Sequence, residues 1–178
     1  MRCKEMTAWE RCVAFHGHSC GGLTIGYKAA QYAIELLELK FSEDEQVVCI
    51  SENDACGVDA IQVMLGCSVG KGNLLFHMRG KQAFSFYNRS TGKSVRLVLK
   101  PKRKGMTKEE SFNYYQNSEP KDLFDVKETT ISLPEPASIF DSYECECCGE
   151  STGGDGIRVV NGKKLCLDCC GKYDRFNV

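Results

Sequence analysis

At 178 residues the chain has room for one compact domain and a small annex but not for a modular enzyme, and 42% hydrophobic, 10% aromatic and 26% charged residues exclude disordered and fibrous classes. A formal net charge of −1 singles out no partner, yet the eleven Lys and Arg between Ala60 and Lys108 stand with no Asp or Glu among them, as a solvated strand face or as a surface for phosphate, nucleic acid or an acidic protein. With no apolar leader and no membrane span in view, twelve cysteines point to metal or thiol chemistry in a reducing cytoplasm rather than to disulfides.

Lys4–Phe15 spaces Met6, Trp9, Cys12 and Val13 at helical intervals and predicts a short amphipathic helix that ends at the glycines of HGHSCGG. Leu23–Leu39, with Gly26, Ala30, Ala33 and Leu37 on one stripe, predicts a long buried helix. Gln46–Ser51 is a β-rich run, and Glu52–Asp54 offers turn and capping residues before a helix over about Val58–Leu65. Asn73–Met78, Ala83–Asn88 and Ser94–Lys100 read as strands, the last two joined by a glycine-containing turn, Arg89–Lys93. A helix over Lys108–Asn117 follows, then an alternating edge strand over Asp125–Leu133, stopped by Pro134 and Pro136. Helices early and strands in sequence later argue for an α+β domain, helices packed on a mixed or antiparallel sheet. The predicted organisation is a core over residues 1–134, a linker, and a small unit over 143–178.

That small unit carries Cys145-x-x-Cys148 and Cys166-x-x-Cys169, separated by seventeen residues in a segment too short for an ordinary core. Zinc favours four thiolates in a tetrahedron, and Gly149 lets the first pair curl around the ion. Ile157–Leu165 reads as a hairpin around Asn161-Gly162, and Cys166 onward could form a short helix, an order that resembles a treble-clef finger. Cys147 and Cys170 are left as spares. A closed four-thiolate site is structural. Residues 135–178 hold eight acids against five Lys and Arg, which favours a protein contact over nucleic acid.

His16, His18 and Cys20 place three transition-metal ligands at i, i+2 and i+4 in a glycine-bracketed loop before the long helix. In an extended loop they project to one side, and the helix start behind Cys20 favours its thiolate. Cys56 stands at the entrance of the next helix, so two helix starts could converge on one ion, three ligands leaving an open position for catalysis or cofactor binding. His16, His18, Cys20 and Cys56 are therefore the candidate catalytic and metal residues of the core. The alternatives are capping and small apolar roles, or a Cys–His nucleophile without metal. Asp54 and Asp59 read first as caps, Cys3, Cys12, Cys49 and Cys67 as core thiols, and His77 as a structural strand residue. The core has no C-x-x-C, which argues against thioredoxin-type dithiol chemistry.

FHGHSCGGLTIGYKAA, residues 15–30, together with ACGVDAIQVMLGCSVGKGNL, residues 55–74, resembles the E-subunit family of formylmethanofuran dehydrogenase, and the C-terminal cysteine pairs fit it. The resemblance covers nearly the whole chain and implies a thioredoxin-like α+β core with a mixed sheet flanked by helices, followed by a treble-clef finger. Against the family pattern H-G-H-x-C-P-G, Gly21 stands where proline is usual. The resemblance also implies zinc or another divalent metal at the core site, with Cys20 among the ligands and Cys56 and the histidines as ligands or neighbours. The family is named for association with a molybdenum or tungsten enzyme that reduces carbon dioxide onto methanofuran. This chain has no Fe–S run, pterin motif or nucleotide loop, so the expectation is a metal-binding accessory or regulatory protein with a molybdenum or tungsten oxidoreductase as partner. Two alternatives remain: a zinc- or thiol-dependent enzyme acting on a small molecule, and a zinc-finger nucleic-acid-binding regulator, which the acidic finger opposes. A homodimer through exposed strand edges is expected.

Overall fold

The structure, a computed structural model, describes residues 6–101 and 104–171. The predicted helix start at Lys4, the core thiol Cys3, Lys102 and Arg103 of the basic stretch, and the continuation of the chain past Gly171 lie outside the described residues. The chain packs as two units, Met1–Ala137 and Ser138–Val178. Among the described residues no helix is long and apolar enough to cross a membrane.

In the first unit, Thr7 starts α1 (Ala8–His16) with a reciprocal capping box to Glu10, and Gly17, at φ 93°, ends it. The next helix, α2 (Gly21–Leu37), takes in Gly21 and Gly22 of the loop and stops at Glu38, whose φ of 52° turns the chain away two residues before the expected end. Strand β1 (Val47–Ser51) and helix α3 (Gly57–Leu65) follow, and β2 (Leu74–Phe76) is shorter than the predicted Asn73–Met78. The strands β3 (Ala83–Asn88) and β4 (Ser94–Leu99) form the expected hairpin. Helix α4 (Lys108–Asn117) has the predicted bounds, fixed by a Thr107–Glu110 capping box, and a turn of helix not predicted, α5 (Pro120–Leu123), leads into β5 (Phe124–Lys127).

The five strands form one mixed sheet in the order β2-β1-β3-β4-β5, with β1 and β2 parallel and the other pairs antiparallel. Side chains alternate across β1: Val47 and Cys49 join Ala29, Ala33, Phe84 and Phe86 under the helices, while Val48 and Ile50 pack with Tyr87 and Ile131 on the other face. All five β1 residues are buried for that reason. The alternation after Asp125 continues in sequence to Leu133, but the ladder ends at the pair Arg96–Lys127. Strand β4 begins at Ser94, so there is almost no partner left, and the chain crosses the sheet instead, where the Tyr87 hydroxyl donates to the Ile131 carbonyl at 2.7 Å.

Helices α2 and α3 cross where each has a glycine. A Cβ on Gly26 would overlap the Gly57 carbonyl, so the backbones touch there, and the crossing brings the N-terminal ends of the two helices together.

In the second unit β6 (Ser142–Glu144) pairs with β7 (Ser151–Gly153), a 3-10 turn spans Gly154–Gly156, and β8 (Ile157–Val160) pairs with β9 (Lys163–Cys166) around Asn161 and Gly162, both at positive φ. Among its described residues only Cys145 and Cys166 are buried.

Candidate functional site

His16, Cys20 and Cys56 present one donor atom each, all within 4.8 Å of one another. They come from three helix ends. His16 is the last residue of α1, Cys20 is the N-cap of α2, and Cys56 is the N-cap of α3. The Cys20 sulfur accepts the Leu23 N–H at 3.3 Å, whereas Cys56 makes no cap bond. Thiolates at two helix N-termini are electrostatically favoured, and so is a cation near the C-terminal end of α1. Burial first, and then the hydrogen bond with Cys20, push the Cys56 thiol up.

His16 is held by Asp59, one helical turn beyond Cys56. Its Nδ1 lies 2.7 Å from Asp59 Oδ2, and Asp59 Oδ1 accepts from Gln62 at 3.2 Å. An ionised carboxylate only accepts, so Nδ1 carries the proton and the Nε2 lone pair faces Cys20 Sγ, 3.8 Å away. Gly22 keeps the space beside the sulfurs open: a Cβ there would press on Cys56 Cβ at 3.1 Å and sit 3.5 Å from its sulfur. Cavities reach the group from two directions. One of about 400 Å3 is lined by His16, Cys56, Asp59, Val69 and Phe76, and one of about 580 Å3 by Cys20, Gly22, Ile25, Phe112 and Tyr115.

His18 stays outside this group. Helix α1 runs through His16 and ends at Gly17, and the exposed His18 ring lies beside that of His16, 4.6 Å between ring centroids. Asp54 and Asp59 are legible in sequence as caps first and as groups behind the ligands second; neither makes a cap bond to α3, and Asp59 stands behind His16. The available signal is its spacing of three from Cys56, one turn along the same helix.

In the second unit the sulfurs of Cys145, Cys148, Cys166 and Cys169 also lie within 4.8 Å of one another, and Cys147 and Cys170 are outside that group. Gly149, at φ 77°, closes the first knuckle with its N–H on the Cys145 carbonyl at 2.8 Å, and Cys170 N–H closes the second on Cys166 at 2.8 Å. Backbone N–H groups of Cys148, then Cys166 and Cys147, hold the Cys145 thiol down at about 6, while neighbouring thiols, that of Cys166 first, push Cys169 up. Four sulfurs at this spacing are a donor set for a soft tetrahedral ion.

The remaining sequence readings resolve simply. Cys12, Cys49 and Cys67 are fully buried, and burial pushes the Cys67 thiol up to about 12. His77 follows the end of β2 rather than lying within it. Several cations of the basic stretch are spent internally. Arg96 holds Glu52 by two bonds of 2.5 and 2.9 Å, Arg89 meets Glu45 at 3.5 Å, and Lys71 donates to the Ser42 carbonyl at 2.7 Å.

Residues 15–134 match the family described as FmdE, molybdenum formylmethanofuran dehydrogenase operon. A curated relative from Archaeoglobus fulgidus, described as a probable S-adenosyl-L-methionine-binding protein, is 30% identical over 195 aligned positions that cover 92% of this chain and 52% of that protein. The chain thus spans about half the length of that relative. Among solved structures, a tungsten formylmethanofuran dehydrogenase FmdE-like protein from Syntrophus aciditrophicus superposes with a TM-score of 0.68 at 25% identity, over 91% of this chain and 89% of that one.

Proposed function

The chain belongs to the FmdE family, and from that premise we propose that it is a metal-binding accessory or regulatory protein with two zinc-type sites. In this reading His16, Cys20 and Cys56 hold zinc or another divalent ion at three protein positions, with His18 adjacent rather than coordinating. Cys145, Cys148, Cys166 and Cys169 hold a second zinc that has only a structural role, in a finger of treble-clef type. The observation that carries the reading is the meeting of two N-cap thiols with a histidine whose other ring nitrogen is fixed by Asp59, the carboxylate–histidine arrangement common behind ligating histidines. A zinc ion on three protein donors acts as a Lewis acid toward whatever takes the fourth position. The protein's share is to orient His16 through Asp59, to bring both sulfurs together at two helix starts, and to keep space open beside Gly22.

The family description supports a molybdenum or tungsten oxidoreductase as the physiological partner, and reduced thiols at both sites suit a cytoplasmic location. Self-association into a homodimer belongs to the same reading. A second reading, a small-molecule enzyme or binding protein, is favoured by the 580 Å3 cavity at Cys20 and by the Archaeoglobus relative named for S-adenosylmethionine. Metal content after anaerobic purification tests the proposal. The expected result is two ions per chain, falling to one in Cys20→Ser and to one in Cys148→Ser. A single ion lost only with Cys148→Ser overturns the core metal and leaves a thiol site.

A further inference from the structure

Cys20 and Cys56 come from different helix starts, yet their sulfurs lie within 4.8 Å of each other. The backbone fixes that meeting, because α2 and α3 touch where Gly26 faces the Gly57 carbonyl. Gly22 leaves the sulfurs room to approach: the Cβ that another residue would add there stands 3.5 Å from the Cys56 sulfur and 3.9 Å from the Cys20 sulfur. A disulfide needs its sulfurs about 2 Å apart, and rotation about the two Cα–Cβ bonds closes the gap from this start. Cys56 makes no side-chain cap bond, so its rotation breaks none.

This pair is also the one that a small oxidant reaches. Cys12, Cys49 and Cys67, the other described thiols of the first unit, are fully buried, whereas Cys20 and Cys56 are half-buried and each lines a cavity. His16 completes the arrangement. Its Nε2 stands 3.8 Å from the Cys20 sulfur, with the ring held by Asp59, and accepts the thiol proton when no ion is bound. A thiolate beside a base, with a second thiol next to it, turns a sulfenic acid into a disulfide before oxidation goes further.

We propose that Cys20 and Cys56 form a reversible disulfide when the protein meets hydrogen peroxide, and that the core ion is held only while both are reduced. The Cys20 thiolate attacks one peroxide oxygen, the O–O bond breaks, and hydroxide leaves and takes up the thiol proton as water. The Cys56 sulfur then attacks the sulfur of the Cys20 sulfenic acid. The S–S bond forms, the S–O bond breaks, and the departing hydroxide takes the Cys56 proton as a second water. Two thiols have then lost two electrons and two protons to one peroxide. Of the three donors only His16 remains, too few to keep a divalent ion. The disulfide stands on the meeting of the two sulfurs; the loss of the ion rests on the metal-centre reading.

The test treats anaerobically purified, metal-replete protein with equimolar hydrogen peroxide and caps the remaining thiols with N-ethylmaleimide. Mass spectrometry of the digest identifies cross-linked peptides while a coloured chelator counts released ions. The expected product joins Cys20 to Cys56 with release of one ion, and dithiothreitol restores both thiols and metal binding. The same release from Cys148→Ser, whose finger is emptied beforehand, assigns the ion to the core. In Cys56→Ser the cross-link is lost and Cys20 goes on to the sulfinic acid. Recovery of both residues as N-ethylmaleimide adducts, Cys20 joined to another cysteine, or a Cys20–Cys56 bond that leaves a core ion in place overturns the proposal. A cross-link in wild type that held no core ion removes the metal centre and keeps the disulfide. A core ion on thiols that peroxide leaves unjoined removes the disulfide alone.

Discussion

Asp59 touches neither sulfur of the core centre, yet it decides which nitrogen of His16 faces them. Asp59→Ala should lower core-metal affinity about 10- to 100-fold and leave the finger ion in place. Competition with a coloured chelator reads both sites, and an equal loss at each would count against the assignment. His16, Cys20 and Cys56 could be picked out in the sequence as ligand types beside glycines and helix starts. The Asp59–His16 bond could not, because it spans 43 residues and depends on how α1 packs against α3. The Arg96–Glu52 pair is hidden from sequence in the same way, and it makes a prediction of its own. Arg96, chiefly through its hydrogen bonds, holds the Glu52 carboxyl below its usual value. A depressed carboxyl stabilises the fold above its unfolded pKa of about 4.3, and that contribution fades as pH falls through the lower folded value. Arg96→Leu should therefore cost about 3 kcal/mol at neutral pH by stranding a buried carboxylate. In urea titrations that deficit should shrink below about pH 4 as Glu52 is protonated in both states; a deficit independent of pH would mean that Arg96 acts only through packing.

At the level of elements, the site is a product of one helix crossing. Gly26→Ala forces α2 away from the Gly57 carbonyl, at a cost of about 1–3 kcal/mol, and parts the two N-caps. Loss of the core ion should accompany the loss of stability, and a variant that melts early but keeps its ion would show that the caps do not depend on the crossing. The N-cap positions themselves carry an opposite expectation. Serine is a better cap than cysteine, so the ion-free core of Cys20→Ser should be more stable than the ion-free wild type, by up to about 1 kcal/mol in chemical denaturation. The sequence reading places β3 and α4 at their observed bounds, and for β3 the turn after Asn88 is the local signal. It overran at β5, where the limit is set by the length of the neighbouring strand. It also began α2 too late, because glycines that look like loop are held in helical geometry by the close approach to α3.

For the molecule as a whole, the two units are stabilised by different means. The first buries Phe84, Phe86, Leu97 and the small residues of α2 between helices and sheet, and it should keep its circular-dichroism signal and cooperative melt in the presence of a strong chelator. The mixed α+β class was legible from the order of helices and strands, and the four-cysteine group from its spacing, since both are written locally. The parallel pairing of β1 with β2 was not, because it depends on the helical crossover between them. In the second unit the only buried described residues are themselves candidate ligands. Such a unit has nothing to fold around once the ion leaves, so its resistance to digestion becomes a gauge of metal supply. Chelated protein should be trimmed by a nonspecific protease to a resistant fragment ending near Ala137, and the metal-replete form should survive at full length.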